Sequence, residues 1–120
     1  MYERHTVGNE GEEVAAKYLL EKDYQILERN FNCRQGEIDI IAKDKNELVF
    51  VEVKTRTNTQ YGEPVEAVTY YKQKHIIKSI EYYLYIKKLE NAFIRIDVIE
   101  VYDRGKNKYH VNHIKKAFER

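Results

Sequence analysis

The chain has 120 residues, of which 42% are hydrophobic and 34% are charged, and it contains a single proline. This composition is typical of one ordinary globular domain and excludes a disordered or collagen-like chain. The net charge of +1, from 21 basic and 20 acidic residues, argues against a protein that coats DNA through charge alone. It does not exclude a nuclease, because an acidic metal site offsets basic residues placed elsewhere.

The cysteine content and the N-terminal segment bear on location. Cys33 is the only cysteine, so no disulfide can form within the chain. Residues 1–8 lack the apolar core of a signal peptide, and no run approaches the ~20 apolar residues of a membrane-spanning helix. We therefore expect a cytoplasmic protein with no membrane partner, folded as a single domain over residues 1–120 with a flexible segment at 1–8.

The predicted elements, in chain order, are a helix, three strands, a long helix and two further strands. Asn9 is expected to cap the first helix, and Glu12 falls where it would complete a capping box. The later elements are expected at residues 24–33, 37–42 and 48–54 (strands), 65–89 (helix), and 92–101 and 109–114 (strands). A long helix that crosses between two strands indicates a parallel pair, so the predicted fold class is α/β, a mixed sheet flanked by helices.

The second and third strands are expected to form an antiparallel hairpin that closes around residues 44–45. In that register Asp39 faces Phe50, and Glu52 is its diagonal neighbour at about 7–8 Å along the backbone. Two carboxylates at this separation can reach one cation between them. The opposite face is expected to carry the apolar side chains Ile38, Ile40, Val49, Val51 and Val53.

Glu52 and Lys54 lie two residues apart on a predicted strand, so their side chains point to the same face. Burying such charges is costly without a partner, and a divalent cation is one partner. Carboxylate oxygens suit Mg²⁺ or Mn²⁺, which polarise a phosphoryl oxygen and lower the pKa of bound water. A neighbouring lysine can orient that water or stabilise developing charge. The same residues could instead form a structural salt-bridge ladder across the strands.

The residues Asp39 and Glu52-Val53-Lys54 resemble the PD-(D/E)xK signature of the restriction-endonuclease-like superfamily, with Ile38 in place of the proline. More narrowly, the chain resembles the YraN-like family of small bacterial proteins over roughly residues 8–101. The stretches that carry this resemblance are Gly11-Glu12 with Ala15, Ala16 and Leu19, then Asn30-Phe31 to Gly36-Glu37-Ile38-Asp39, then Phe50 to Arg56, and Tyr61-Gly62 to Glu66-Ala67-Val68.

The resemblance implies a restriction-endonuclease-like αβββαβ core similar to that of archaeal Holliday-junction resolvases. It also implies that Glu12, Asp39 and Glu52 bind the metal and that Lys54 completes the catalytic set. From its position alone, Glu12 is equally explained as a residue of the helix cap.

Four more residues are candidates for supporting roles. Glu37 is either an acid that supports the metal ligands or a surface group near a turn. Arg56 follows the catalytic strand, where loops often carry binding residues, and it is a candidate phosphate contact. Lys72 and Lys74 on the long helix could contact a phosphate backbone. Each of these basic residues could equally be a solvent-facing charge.

Other chemically suggestive residues are expected to be structural. His110 and His113 lack a third ligand at zinc spacing, and His75 falls on the apolar face of the long helix, which predicts a core histidine. Arg95 and Asp97 are expected to form an ion pair. The tyrosines of the long helix are expected in the core or at its rim rather than as stacking surfaces.

We therefore expect a Mg²⁺- or Mn²⁺-dependent endonuclease-like protein that hydrolyses phosphodiester bonds of DNA, with branched or damaged DNA as a candidate substrate. A homodimer is expected by analogy with resolvases, whose substrate has two-fold symmetry. One alternative is a non-catalytic nucleic-acid-binding or adaptor module that retains the nuclease fold. Another is a purely structural interaction protein without affinity for divalent cations.

Overall fold

The computed structural model describes residues 6–56 and 68–120. The helices and strands are α1 (Thr6–Glu21), β1 (Gln25–Cys33), β2 (Gly36–Asp44), β3 (Glu47–Arg56), α2 (Tyr70–Ile86), β4 (Phe93–Asp103) and β5 (Tyr109–Ile114). The five strands form one sheet in the order β1-β2-β3-β4-β5, in which β3 and β4 are parallel and the other neighbours are antiparallel. The predicted mixed α/β sheet with a parallel crossover pair is confirmed. Within the described ranges, no helix has the length and apolar character needed to cross a membrane.

β3 lies at the centre of the sheet and is covered on both faces. Val49 and Val51 pack with residues of α1 in one hydrophobic core. Leu48 and Phe50, which alternate with them, pack with residues of α2 in a second core on the other face. Since each large apolar side chain contributes about 1.5–3 kcal/mol when fully buried, these two cores hold β3 firmly between the helices.

Both helices begin at positions that differ from the prediction. α1 begins at Thr6, so Asn9 lies inside the helix and does not cap it. Gly8 and Asn9 each cost only about 1 kcal/mol or less in a helix, so they do not end one that packs on a sheet. α2 begins at Tyr70, and the Thr69 side chain caps it by accepting a hydrogen bond from a backbone N–H of the first turn at 3.1 Å. The predicted start at 65 falls outside the described residues.

The predicted register of the hairpin was wrong. The ladder between β2 and β3 runs from Asp44 opposite Glu47 to Ile40 opposite Val51, so the hairpin closes around residues 45–46 and Phe50 faces Ile41. Two-residue connections are the commonest in hairpins, and Lys45 adopts the positive φ, 57°, that such a turn requires. Because the shift moves each partner by two residues, the side chains of the paired residues 40–44 and 47–51 keep their predicted directions.

The alternation of side chains along β2 is interrupted at Asp39. Ile38 packs with Ile41 in the core next to α2, whereas Ile40 packs in the core next to α1, so the expectation that Ile38 and Ile40 share one face was wrong. The ladder with β3 ends at Ile40, and the beginning of β2 pairs only with β1. β2 therefore separates from β3 at Asp39, which leaves an opening between the two strands.

A network of buried polar groups lies at the opposite end of the sheet from this opening. The Arg95 guanidinium donates hydrogen bonds to Asp97 at 3.0 Å and to the Tyr24 hydroxyl at 2.6 Å, which confirms the predicted ion pair. His113 Nε2 lies 2.7 Å from Asp97 Oδ2, while His110 stacks on a tyrosine ring of β4. The two histidines therefore have different neighbours, and each is accounted for by local contacts.

We expect Asp97→Asn to lower the free energy of unfolding by about 3 kcal/mol at pH 7, because it leaves Arg95 with less compensating charge in a buried site. Burial alone raises the pKa of Asp97, but hydrogen bonds from His113 and Arg95 outweigh it and hold that pKa below its usual value. The stabilisation is therefore present at neutral pH and is lost as the pH falls below about 4. Urea unfolding at pH 7 and pH 3.5 measures this, with the exposed Glu90→Gln as control. An equal loss at both pH values would contradict the ion pair.

Candidate functional site

Asp39 and Glu52 meet at the opening between β2 and β3. The last pair of the ladder is Ile40 and Val51, and each acid lies one residue beyond this pair on its own strand. The Val53 N–H donates a hydrogen bond to Asp39 Oδ2 at 2.8 Å, which holds this carboxylate against the edge of β3. Glu52 is buried, and both acids line the same cavity. The structure thus brings the two central residues of the predicted site into the lining of one cavity.

Asp39 lies among three other carboxyl groups. Burial is the largest cause that raises its pKa, to about 7, and the charge of Glu52 raises it further. The hydrogen bond from Val53 lowers this pKa, while Glu12 and Glu37 add smaller increases. Like charges disfavour ionisation of their neighbours, so a fully ionised cluster requires a compensating cation. The electrostatic environment therefore favours binding of positive charge at this opening.

Glu12 reaches the site because α1 packs very closely on the end of β3. A Cβ atom at Gly11 would collide with Thr55 Oγ1, so only glycine permits this approach. Glu12 Oε1 accepts a hydrogen bond from Asn30 Nδ2 at 2.9 Å, and the same amide donates to Glu37 Oε2 at 3.2 Å. Asn30 thus links the two outer acids. We assigned it no role from sequence, although an asparagine in a strand, where this residue is depleted, was an available signal.

Two lysines face Glu52 from different elements. Lys72 Nζ of α2 lies 3.0 Å from Glu52 Oε2, and Lys54 Nζ lies 3.8 Å from the same oxygen. Burial lowers the pKa of Lys54, and the nearby charge of Lys72 lowers it further. Lys74 is exposed, with its Nζ 5.1 Å from the centre of the Tyr70 ring. Of the two helix lysines predicted to contact phosphate, the structure brings Lys72 into the site and leaves Lys74 outside.

Arg56 and Glu100 extend the polar site toward β4. Glu100 lies beside Lys54 in the parallel ladder and is completely buried. Arg56 Nη2 lies 3.9 Å from Glu100 Oε2, while Asn112 Nδ2 donates a hydrogen bond to Oε1 at 2.7 Å. Arg56 is thereby held at the end of β3, next to the predicted catalytic lysine. We did not single out Glu100 from sequence, although a glutamate within an apolar strand was a signal.

The side chains of the site are of the type that binds a hard divalent cation, but they are not yet arranged to hold one. Carboxylate oxygens are the ligands that Mg²⁺ and Mn²⁺ prefer. Within residues 6–56 and 68–120, however, no three acidic, histidine or cysteine side chains are placed to hold one metal ion. Glu52 is paired with Lys72, and Glu12 is hydrogen-bonded to Asn30. A metal held by Glu12, Asp39 and Glu52 would have to displace both of these partners.

A cavity of about 420 Å³ opens beside the acids, between the beginning of β2 and the first turns of α2. His75 lines it and is exposed, so the prediction of a core histidine was wrong. The buried stripe of α2 runs through Ile76, Ile80 and Leu84, which leaves His75 at its edge. There its Nδ1 lies 3.1 Å from the carbonyl oxygen of Gln35.

The model of the uncharacterised protein family UPF0102 matches residues 11–101 of the chain. The chain belongs to this family. It is 47% identical to a UPF0102 protein of Caldicellulosiruptor saccharolyticus. The 116 aligned residues are 96% of this chain and 98% of the relative. It is 51% identical to a UPF0102 protein of Clostridium botulinum over 115 aligned residues, which are 94% of each chain. It is 48% identical to a UPF0102 protein of Clostridium perfringens over 114 aligned residues, which are 94% of this chain and 93% of the relative. The predicted YraN-like family membership is confirmed, and the matched UPF0102 region contains every candidate site residue from Glu12 to Glu100.

We expect Asp39→Asn to stabilise this UPF0102 protein in metal-free buffer by about 1–2 kcal/mol at pH 8 and less at pH 4. With a pKa of about 7 in the folded state against about 4 when unfolded, ionisation of Asp39 lowers the stability as the pH rises through this window. Asparagine keeps an acceptor for Val53 but removes the charge. Urea unfolding from pH 4 to pH 8 measures the difference, which should widen as the pH rises. A constant difference would contradict a raised pKa of Asp39 in the folded state.

We expect Lys72→Met to tighten Mn²⁺ binding about five-fold, because the Lys72 ammonium competes with the metal for Glu52 and a half-exposed ion pair is worth about 1 kcal/mol. Isothermal titration calorimetry measures the affinity. Lys78→Met, on the exposed side of the same helix, is the matched control and should bind like wild type. Equal affinity in both variants would contradict the competition. Absence of Mn²⁺ binding by the folded wild-type protein would contradict the metal site itself.

Proposed function

We propose that this chain is a Mg²⁺- or Mn²⁺-dependent nuclease that hydrolyses phosphodiester bonds of DNA, with branched or damaged DNA as its preferred substrate. One observation carries the proposal: Asp39 and Glu52 line one cavity, and Lys54 Nζ lies 3.8 Å from Glu52 Oε2. Burial, and after it the charge of Glu52, raises the pKa of Asp39 to about 7. Phosphodiester hydrolysis uses two carboxylates that can bind a metal ion and a neighbouring lysine, and these groups are present here.

The proposal includes a restriction-endonuclease-like core and membership of the PD-(D/E)xK superfamily. The order α1, β1, β2, β3, α2 and β4 follows the αβββαβ arrangement that the sequence resemblance implies. The positions of Asp39 on β2 and of Glu52 and Lys54 on β3 also support this assignment, because all three signature residues lie just beyond the last pair of the β2–β3 ladder.

The acids would hold the metal, and the lysine would act on the reacting groups. When bound, Mg²⁺ or Mn²⁺ supplies Lewis acidity that polarises the phosphoryl oxygen and lowers the pKa of water. Asp39 and Glu52 would provide the central carboxylates, Glu12 would complete the set after leaving Asn30, and Glu37 would keep the Asn30 amide as its own partner. The residues thus divide into ligands and supports.

Lys54 would donate hydrogen bonds either to the attacking water or to the phosphate that accumulates charge. Attack of the water oxygen forms one P–O bond as the bond to the leaving strand breaks, giving one phosphate end and one hydroxyl end. Lys72, once displaced from Glu52, would contact a phosphate, and Arg56 would contact another from the end of β3. These contacts would position the strand without reading its sequence.

A second function is favoured by the existing ion pairs. Lys72 and Lys54 both lie within 4 Å of Glu52, so the site already balances part of its charge without a metal. A protein with this arrangement could bind a phosphate backbone as a non-catalytic adaptor. In either case a homodimer would match the two-fold symmetry of a four-way junction.

The deciding test is cleavage of a labelled panel of single-stranded, duplex, flap and four-way-junction DNA in the presence of Mn²⁺. We expect wild-type protein to cut at least one branched substrate, and Asp39→Asn and Lys54→Ala each to reduce the rate at least about 100-fold, as loss of one key catalytic group typically does. Lys78→Ala should cut like wild type, since it is exposed and outside the site.

Two outcomes would count against the nuclease. Cleavage that is unchanged in Asp39→Asn and Lys54→Ala would come from a contaminating enzyme. No cleavage by any protein, with junction binding that is equal in wild type and Asp39→Asn, would favour the adaptor function.

A further inference from the structure

We infer that the cavity beside Asp39 and Glu52 receives an unpaired nucleobase, so that the preferred DNA carries a single-stranded or flipped-out nucleotide next to the cleaved bond. This inference rests on the proposed function and narrows its substrate. A base inside a duplex is stacked and paired, and it can enter a protein pocket only when it leaves the helix.

One wall of the cavity is aromatic. Tyr71 and His75, from successive turns of α2, pack edge to face with ring centres 4.5 Å apart. Tyr71 is 74% exposed, so the expectation that the tyrosines of this helix lie in the core or at its rim was wrong for this residue, and its ring is open to solvent at the cavity mouth. An exposed aromatic ring beside a lysine that can contact phosphate is a typical platform for an unpaired base, and stacking on it is tolerant of base identity.

The opposite wall is held close to the helix by a glycine. Gly36 has a φ of 152°, which side-chain-bearing residues rarely adopt, and a Cβ atom there would lie 3.3 Å from Ser79 Oγ. The Ser79 hydroxyl donates to the His75 carbonyl at 3.1 Å, and the His75 ring contacts the carbonyl of Gln35. The two walls are therefore joined without a ligand, which reduces the entropy lost when one binds.

A buried acceptor in this wall lacks a partner. Gln35 lines the cavity, and its Oε1 atom is buried without a hydrogen bond in the part of the chain that the structure describes. An unpaired buried acceptor is costly, and a donor that arrives with a ligand removes the cost. The exocyclic amines of cytosine and adenine are such donors, whereas thymine presents an oxygen at the equivalent position.

On the remaining side of the cavity, a lysine could contact the phosphate of the nucleotide. Lys72 lines the cavity and lies 3.0 Å from Glu52. A nucleotide with its base against Tyr71 would place its phosphate beside Lys72 and the acid pair. The volume of about 420 Å³ falls within the usual range of small-ligand sites, about 300–1,000 Å³. The cavity thus combines a stacking surface, a hydrogen-bond acceptor and a phosphate contact in one place.

The test is fluorescence of a single-stranded deoxyoligonucleotide that contains one 2-aminopurine, titrated with protein in Ca²⁺, a cation that carboxylates bind. We expect binding to wild type to quench the base. Tyr71→Ala should bind about ten-fold more weakly and abolish the quenching. Tyr85→Ala is the matched control, because Tyr85 is 68% exposed on the same helix, 14 residues or about 21 Å away. Thermal unfolding confirms that each variant is folded.

A second variant in the same assay tests the acceptor. Wild type should bind oligo-dC more tightly than oligo-dT, and Gln35→Leu should lose this preference. Equal binding of the two oligonucleotides by wild type would contradict the hydrogen bond to Gln35, and equal binding by Tyr71→Ala and Tyr85→Ala would overturn the base pocket. Because neither readout needs hydrolysis, quenching that persists while the DNA panel is not cut would overturn the nuclease and leave the base pocket standing.

Discussion

The fold and the candidate site both depend on the pairing of β3. This strand is hydrogen-bonded to β2 on one side and to β4 on the other, and its apolar side chains are buried in two separate cores. Glu52 and Lys54 follow directly where the ladder with β2 ends. Because side chains alternate along a strand, fixing Phe50 in the core next to α2 also fixes the direction of these two residues. The packing of the hydrophobic core therefore determines where the side chains of the candidate site point.

Two aspartates show how the same side chain serves different ends. Asp97 is completely buried, yet Arg95 and His113 donate to it, and its pKa falls below the usual value. Burial, and after it the charge of Glu52, raises the pKa of Asp39 to about 7. The first aspartate stabilises the folded chain at neutral pH, whereas ionisation of the second destabilises it. A buried group that lowers the free energy of unfolding, as Asp39 does at this end of the sheet, is typical of a binding site.

Glu52 and Lys72 connect the two proposals. In the structure they pair with each other, so the site carries its own positive charge before any ligand binds. A divalent metal would replace Lys72 at Glu52, and a phosphate would give the released ammonium a new partner. Metal and nucleotide would then favour each other, since each stabilises the arrangement that the other requires. The cavity between Gly36 and Tyr71 adds a place for the base attached to that phosphate.

The sequence by itself determined the class of the fold and was enough to propose the central residues of the candidate site. The alternation of apolar and polar residues and the Glu52-Val53-Lys54 motif can both be read from neighbouring residues in the chain. Such local patterns predict which face of a strand or helix a residue occupies. Only the tertiary structure decided the register of the hairpin, the link from Asn30 to Glu12, and the approach of α2 to β2. These contacts join residues that are far apart in the chain, and local periodicity carries no information about which elements meet or at what distance.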